Sequence, residues 1–182
     1  GESPRRLTDF GYDPAFSPDG KEIVFATGTA TGFSVDQSVL WIADVATGKT
    51  RELFDGGGAF PTWSPSGIRI AFEQAERGTS LGRRRTLSTI PASGGAPTPL
   101  VELPSTMASC PDWSLKGITF DTSVAGQTNV WRIEVDEATG APLGEARPVL
   151  VSPAESIRSS STRDGRRMLF MTWEGANSID RF

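Results

Sequence analysis

The chain has 182 residues, 37% of them hydrophobic, which suffices for one layered domain or a piece of a larger one. Its formal charge of −4, from 18 Lys and Arg against 22 Asp and Glu, opposes the phosphate neutralisation on which nucleic-acid binding depends. The absence of histidine excludes the usual general base, the Ser-His-Asp and Cys-His arrangements and imidazole metal sites, and the single Cys110 excludes an intrachain disulfide.

The first residues, Gly1-Glu2-Ser3-Pro4-Arg5-Arg6, lack an apolar h-region, and no run of eighteen apolar residues occurs, so neither a signal peptide nor membrane insertion is expected of this sequence. Thirteen prolines and twenty glycines, scattered along the chain, predict many tight connections between short strands. Residues 1–10 hold Pro4-Arg5-Arg6-Leu7-Thr8, which has the pattern of an outer strand but precedes any sheet it could join. Residues 11–55 run through Pro14-Ala15-Phe16-Ser17-Pro18-Asp19-Gly20, the triplet Ile23-Val24-Phe25, a third strand at Val39-Leu40-Trp41-Ile42, the turn Ala46-Thr47-Gly48 and a fourth strand over 50–54. Residues 56–103 repeat this as Pro61-Thr62-Trp63-Ser64-Pro65-Ser66-Gly67, Ile70-Ala71-Phe72, a strand over 86–90, a turn at Gly94-Gly95 and a strand over 98–101.

Residues 104–152 repeat it again as Pro111-Asp112-Trp113-Ser114-Leu115-Lys116-Gly117, Ile118-Thr119-Phe120, a strand over 129–133, a turn at Gly140 and a strand over 147–150. Residues 153–182 carry a worn copy, with Ser159 to Gly165, Met168-Leu169-Phe170 and part of a third strand. The turn glycines stand 47, 50 and 48 residues apart. Alternation along a strand sends the first and third members of each triplet into one layer, so the repeat is a packing unit. Four short antiparallel strands per period predict an all-β fold, a β-propeller with four blades in this chain. The four blades either close on themselves, with residues 1–10 completing the last one, or form part of a larger ring. In the second case the open blade faces need covering, by missing sequence or by a second copy.

The first two copies closely resemble the WD40-like (PD40) repeat of the TolB family. The third copy departs from it at Leu115, which replaces the turn proline, and the fourth at Ser159, Ser161 and Arg163. The resemblance implies a bacterial propeller with a ring of six or more blades, a periplasmic or otherwise extracytoplasmic setting in many members, and protein binding at the channel mouth.

In a propeller the inner strand lines the channel and its entry loop forms the mouth, so the residues before each first strand are the candidates for partner binding: Tyr12, Asp13, Phe60, Cys110, Asp112, Arg158 and Ser159. Their chemistry differs from copy to copy, which suits a specific surface and equally suits ordinary loop variation. Asp19 reads as a turn residue, Phe16, Trp63 and Trp113 as packing between blades, and the Arg83-Arg84-Arg85 run as a solvated loop. Cys110 reads as a structural thiol, with only Asp112 nearby as a conceivable base. No catalytic residue, metal site or cofactor is assigned.

The expectation is a non-catalytic interaction or scaffold module whose partner is another protein or a neighbouring domain. The alternatives are an enzyme or enzyme-accessory propeller, of the kind that gates peptidases or acts on polysaccharides with a metal, and a small-ligand sensor.

Overall fold

The computed structural model describes residues 4–28, 35–76, 85–103, 109–124, 127–149, 155–173 and 177–181. It is a β-propeller arc of antiparallel sheets, each a meander whose spatial order follows the sequence. The first sheet holds β1 (Tyr12–Phe16), β2 (Glu22–Ala26), β3 (Leu40–Asp44) and β4 (Thr50–Phe54). The second holds β5 (Gly58–Trp63), β6 (Arg69–Ala75), β7 (Arg85–Pro91) and β8 (Thr98–Leu103), and the third β9 (Asp112–Ser114), β10 (Gly117–Val124), β11 (Gln127–Ile133) and β12 (Arg147–Pro148). The fourth has three described strands, β13 (Glu155–Ser161), β14 (Met168–Trp173) and β15 (Asn177–Arg181). Among the described residues no helix is long and apolar enough to cross a membrane.

The inner turns form as their residues dictate. Gly20, Gly67, Gly117 and Gly165 all adopt positive φ, which costs glycine little and closes the hairpin. In the third copy Ser114 pairs directly with Gly117 across a two-residue turn, so the triplet arrives two residues sooner. Asp19 accepts from the Ser17 hydroxyl (2.7 Å) and the Lys21 amide (3.1 Å), and these bonds hold its carboxyl below the usual carboxylate range. It is a turn residue.

Blades pack by a single rule. Val24 and Ala26 on one face of the first sheet meet Ile70, Phe72 and Trp63 of the second. Ala71 and Leu87, on the far side of the second sheet, meet Ile118, Phe120 and Trp113 of the third. Each triplet therefore turns its first and third members toward the preceding sheet and its middle member toward the next. Trp63 and Trp113 are buried in these interfaces, and Trp63 Nε1 donates to Ala15 O (3.0 Å) across the first. Phe16, at the same repeat position in the first sheet, is 64% exposed because no sheet precedes it.

Residues 4–9 form no strand. They lie against the first sheet, where Phe10 meets Phe25 and Trp41 edge-on at 5.5 and 5.6 Å between ring centroids. The Arg5 guanidinium donates to Ala46 O (3.1 Å) and Val45 O.

The arginine run does not behave as a solvated loop throughout. Arg85 belongs to β7, where its guanidinium pairs at 2.7 Å with the fully buried Glu73, because a buried carboxylate demands a counter-charge. Arg83 and Arg84 lie outside the described residues.

Candidate functional site

One repeat position has an unusual backbone. Asp13, Phe60, Cys110 and Arg158 adopt φ of 50°, 50°, 36° and 54°, the left-handed region that side chains disfavour; among the described residues they are the non-glycine positions to do so. Each such conformation costs about 1–3 kcal/mol and persists only where the surroundings impose it. At Asp13, Phe60 and Arg158 the surroundings are a β-bulge. The pairing of β1 with β2 slips between Tyr12 and Ala15, that of β5 with β6 between Ala59 and Thr62, and that of β13 with β14 between Ile157 and Ser160. In three copies a proline follows the kinked residue, and proline brings no amide hydrogen for the bulge to leave unpaired.

The four kinked residues face a common opening. Asp13, Phe60, Cys110, Asp112, Arg158 and Ser159 all line a shallow depression of about 300 Å³, together with the prolines and Thr62 beside them. Six of the seven residues expected at the mouth are thus brought together. Tyr12 stands apart from the depression and is half exposed. Larger grooves of about 590 and 620 Å³ lie at the outer edge of the third sheet and on the fourth, away from the kinks.

Beneath the mouth, two buried carboxylates bind the next sheet's kink. Glu73 Oε2 accepts from the Ser109 amide (2.7 Å), and Asp121 Oδ2 accepts from the Arg158 amide (2.7 Å). Both residues directly follow the triplet Phe of their sheet, so they are equivalent positions reaching to the following blade. Asp112 does the same from β9, accepting from the Ser161 amide at 2.6 Å. These hydrogen bonds hold the kinked segments of the third and fourth copies.

The two carboxylates differ in compensation. Glu73 has Arg85 on its second oxygen, whereas Asp121 Oδ1 has no hydrogen-bond partner although the residue is only 3% exposed. Burial pushes the Asp121 carboxyl up to about 7, against the opposing effect of the Arg158 amide and charge. Burial likewise raises Asp13, with Arg158 opposing, and raises Asp112, with the Ser161 bonds opposing. Cys110 is pushed up to about 12, first by burial and then by the charge of Asp121, so its thiol stays protonated at neutral pH. Among the described residues no three metal-ligating side chains gather into a set.

Sequence reasoning named six of the residues that line this depression and did not name Glu73 and Asp121. The signal was there: an acidic residue in an otherwise apolar strand, immediately after Phe72 and again after Phe120.

The fold defines a class, the β-propeller. The full chain superposes on TolB from Acinetobacter baumannii with a TM-score of 0.77 at 16% identity, covering 43% of that chain. It covers 56% of a putative TolB from Agrobacterium tumefaciens (TM-score 0.65, 18% identity, 92% of this chain). It also covers 27% of a puromycin-hydrolyzing peptidase from Mycobacterium tuberculosis (TM-score 0.64, 16% identity, 94% of this chain). At such identities the likeness is one of fold. In sequence, 67 residues, 34% of this chain, are 39% identical to dipeptidyl-peptidase 5 of Porphyromonas gingivalis, of which they span 10%. No family model matches. The chain therefore spans a tenth of the curated relative it matches and roughly half or less of these solved structures.

Proposed function

We propose that this chain is a non-catalytic interaction module whose channel mouth receives another protein or a neighbouring domain of its parent chain. The observation that carries the reading is the set of four strained residues, Asp13, Phe60, Cys110 and Arg158, which present an acid, an aromatic ring, a thiol and a base around one opening. Strain retained at four equivalent positions, with different chemistry at each, suits recognition of one asymmetric partner. The protonated thiol and the lack of histidine argue against nucleophilic chemistry there. An extracytoplasmic setting, implied by resemblance to the TolB repeat, belongs to the same reading.

A displayed random-peptide library selected on the purified chain tests this. Selected peptides are expected to lose at least about tenfold in affinity on the Phe60→Ala/Arg158→Ala double variant and to bind the Arg132→Ala control, at an outer groove, unchanged. Peptides that fail to distinguish these variants would refute the reading.

A second reading rests on the segment similar to dipeptidyl-peptidase 5: the propeller as an accessory domain gating a peptidase. On that reading the mouth admits peptides without holding them. Joining the chain to its parent's remaining sequence should then alter the size selectivity of peptide hydrolysis, and the Phe60→Ala/Arg158→Ala variant should change turnover of long peptides more than of short ones.

A further inference from the structure

We propose that the mouth takes a lysine side chain of its partner, with the ammonium group seated against Asp13 above the buried Asp121 and the stem lying along the apolar wall. The inference rests on the reading of the mouth as a partner site and names the chemistry that the partner brings to it.

Charge around the depression is out of balance. Among the described residues, Asp13 and Asp112 stand in its wall, Glu73 and Asp121 lie beneath, and the cations beside them are Arg85 and Arg158. Arg85 is taken up by Glu73 at 2.7 Å. Arg158, itself exposed, is left to oppose Asp13 and Asp121 together.

The shortfall shows in the hydrogen bonds. Asp13 Oδ2 and Asp121 Oδ1 are buried without a hydrogen-bond partner, as is the Oγ of Ser109, the residue before Cys110. Asp121 is only 3% exposed, and a carboxylate oxygen buried in that way is satisfied best by a donor that carries positive charge. Its place is at the depression: Oδ2 accepts the Arg158 amide at 2.7 Å, and after burial its charge is the largest influence on the Cys110 thiol. Glu73 and Asp13 act on the same thiol, so the carboxyls gather about one part of the wall.

The lining selects lysine among cations. Beside the carboxyls the wall is apolar, with Phe60, Pro14, Pro61 and Pro111 next to the protonated Cys110 thiol. An aliphatic stem packs on such a wall and delivers a compact charge at its end, and an ammonium group donates hydrogen bonds and accepts none, as the unpaired acceptors require. An arginine fork is broader, and an α-ammonium sits on the backbone itself with no stem to carry it past Phe60. A metal ion fits less well, since among the described residues no three ligating side chains gather.

NMR titration of the chain with Nα-acetyl-lysine N-methylamide tests the proposal. The Cys110, Asp121 and Arg158 amide resonances are expected to shift. Affinity should exceed by at least about tenfold that of the norleucine analogue, which lacks the charge, and that of alanine N-methylamide, which has only an α-ammonium. Asp13→Asn and Asp121→Asn, both isosteric, should each weaken binding by at least about fivefold with circular dichroism unchanged, while Glu145→Gln, at an outer groove, should leave it as it is. Affinity should rise from pH 5 to pH 8 as Asp121 ionises at about 7 and the ligand keeps its charge, and Asp121→Asn should flatten the rise. Equal affinity for the lysine and norleucine compounds overturns the proposal, as does a preference for the α-ammonium or a lysine effect that both Asn variants leave intact. Selected peptides that require Phe60 and Arg158 yet bind as well with norleucine in place of lysine overturn it alone and leave the partner reading standing.

Discussion

Asp121 carries a carboxyl that burial drives well above its ordinary range. It accepts the Arg158 amide, leaves Oδ1 without a hydrogen bond, and lacks the close cation that Arg85 gives Glu73. Its folded carboxyl titrates at about 7, above an ordinary aspartate, so between the two values the folded state binds the extra proton. Stability is consequently lost as pH rises through that window, by up to about 1.4 kcal/mol per unit, and the loss is complete above pH 7. Asp121→Asn keeps a carbonyl for the Arg158 amide and cannot ionise. Urea titrations should show the variant gaining on the parent chain from pH 5 to pH 8; parallel curves would show that Asp121 titrates normally. Cys110 gives a second test. Held up to about 12 by burial and then by Asp121, it should resist iodoacetamide at pH 8 in the folded chain and react readily in urea.

At the scale of single strands, the repeat makes equivalent residues unequal in a predictable way. Trp63→Ala empties a buried interface and loses the bond to Ala15 O, so it should cost about 3–5 kcal/mol, whereas Phe16→Ala, at the same position on the exposed face, should cost less than about 0.5 kcal/mol. Chemical denaturation of both variants checks the contrast. The kinks allow a reversal of the usual ranking: at Asp13, with φ of 50°, glycine should be more stable than alanine by about 1 kcal/mol, although alanine normally wins within a strand.

These same elements mark what could be read without coordinates. The turn glycines and the triplet alternation were legible because each needs a specific backbone angle or face, and the short turn at Ser114 to Gly117 was visible as a two-residue deletion. The mouth was legible only as a location. Nothing about Asp, Phe, Cys and Arg announces a left-handed residue, since the angle is imposed by the surrounding structure, at Arg158 by a bulge and a hydrogen bond from the neighbouring sheet. Arg85 was missed for a related reason: its partner Glu73 is fixed by cross-strand register, and neighbouring sequence suggested only a charged loop. Six of the seven residues named from the sequence line one depression, Tyr12 stands apart from it, and the buried carboxylates Glu73 and Asp121 were not among those named.

Across the whole molecule, stability should be graded along the arc, because each sheet derives its burial from its neighbours. The second and third sheets are sandwiched, and all six of their triplet side chains are fully buried. The fourth has one packed face, with Phe170 at 4% and Leu169 at 46% exposure. Opening of the fourth sheet uncovers little apolar surface, while opening of the third breaks interfaces on both sides and removes Asp121 from the Arg158 amide. Native-state hydrogen exchange should therefore find the amides of Met168–Phe170 exchanging first and those of Ile70–Phe72 and Ile118–Phe120 last. Uniform protection along the arc would mean that the blades unfold as one unit and that the end faces are stabilised by something other than a neighbouring sheet.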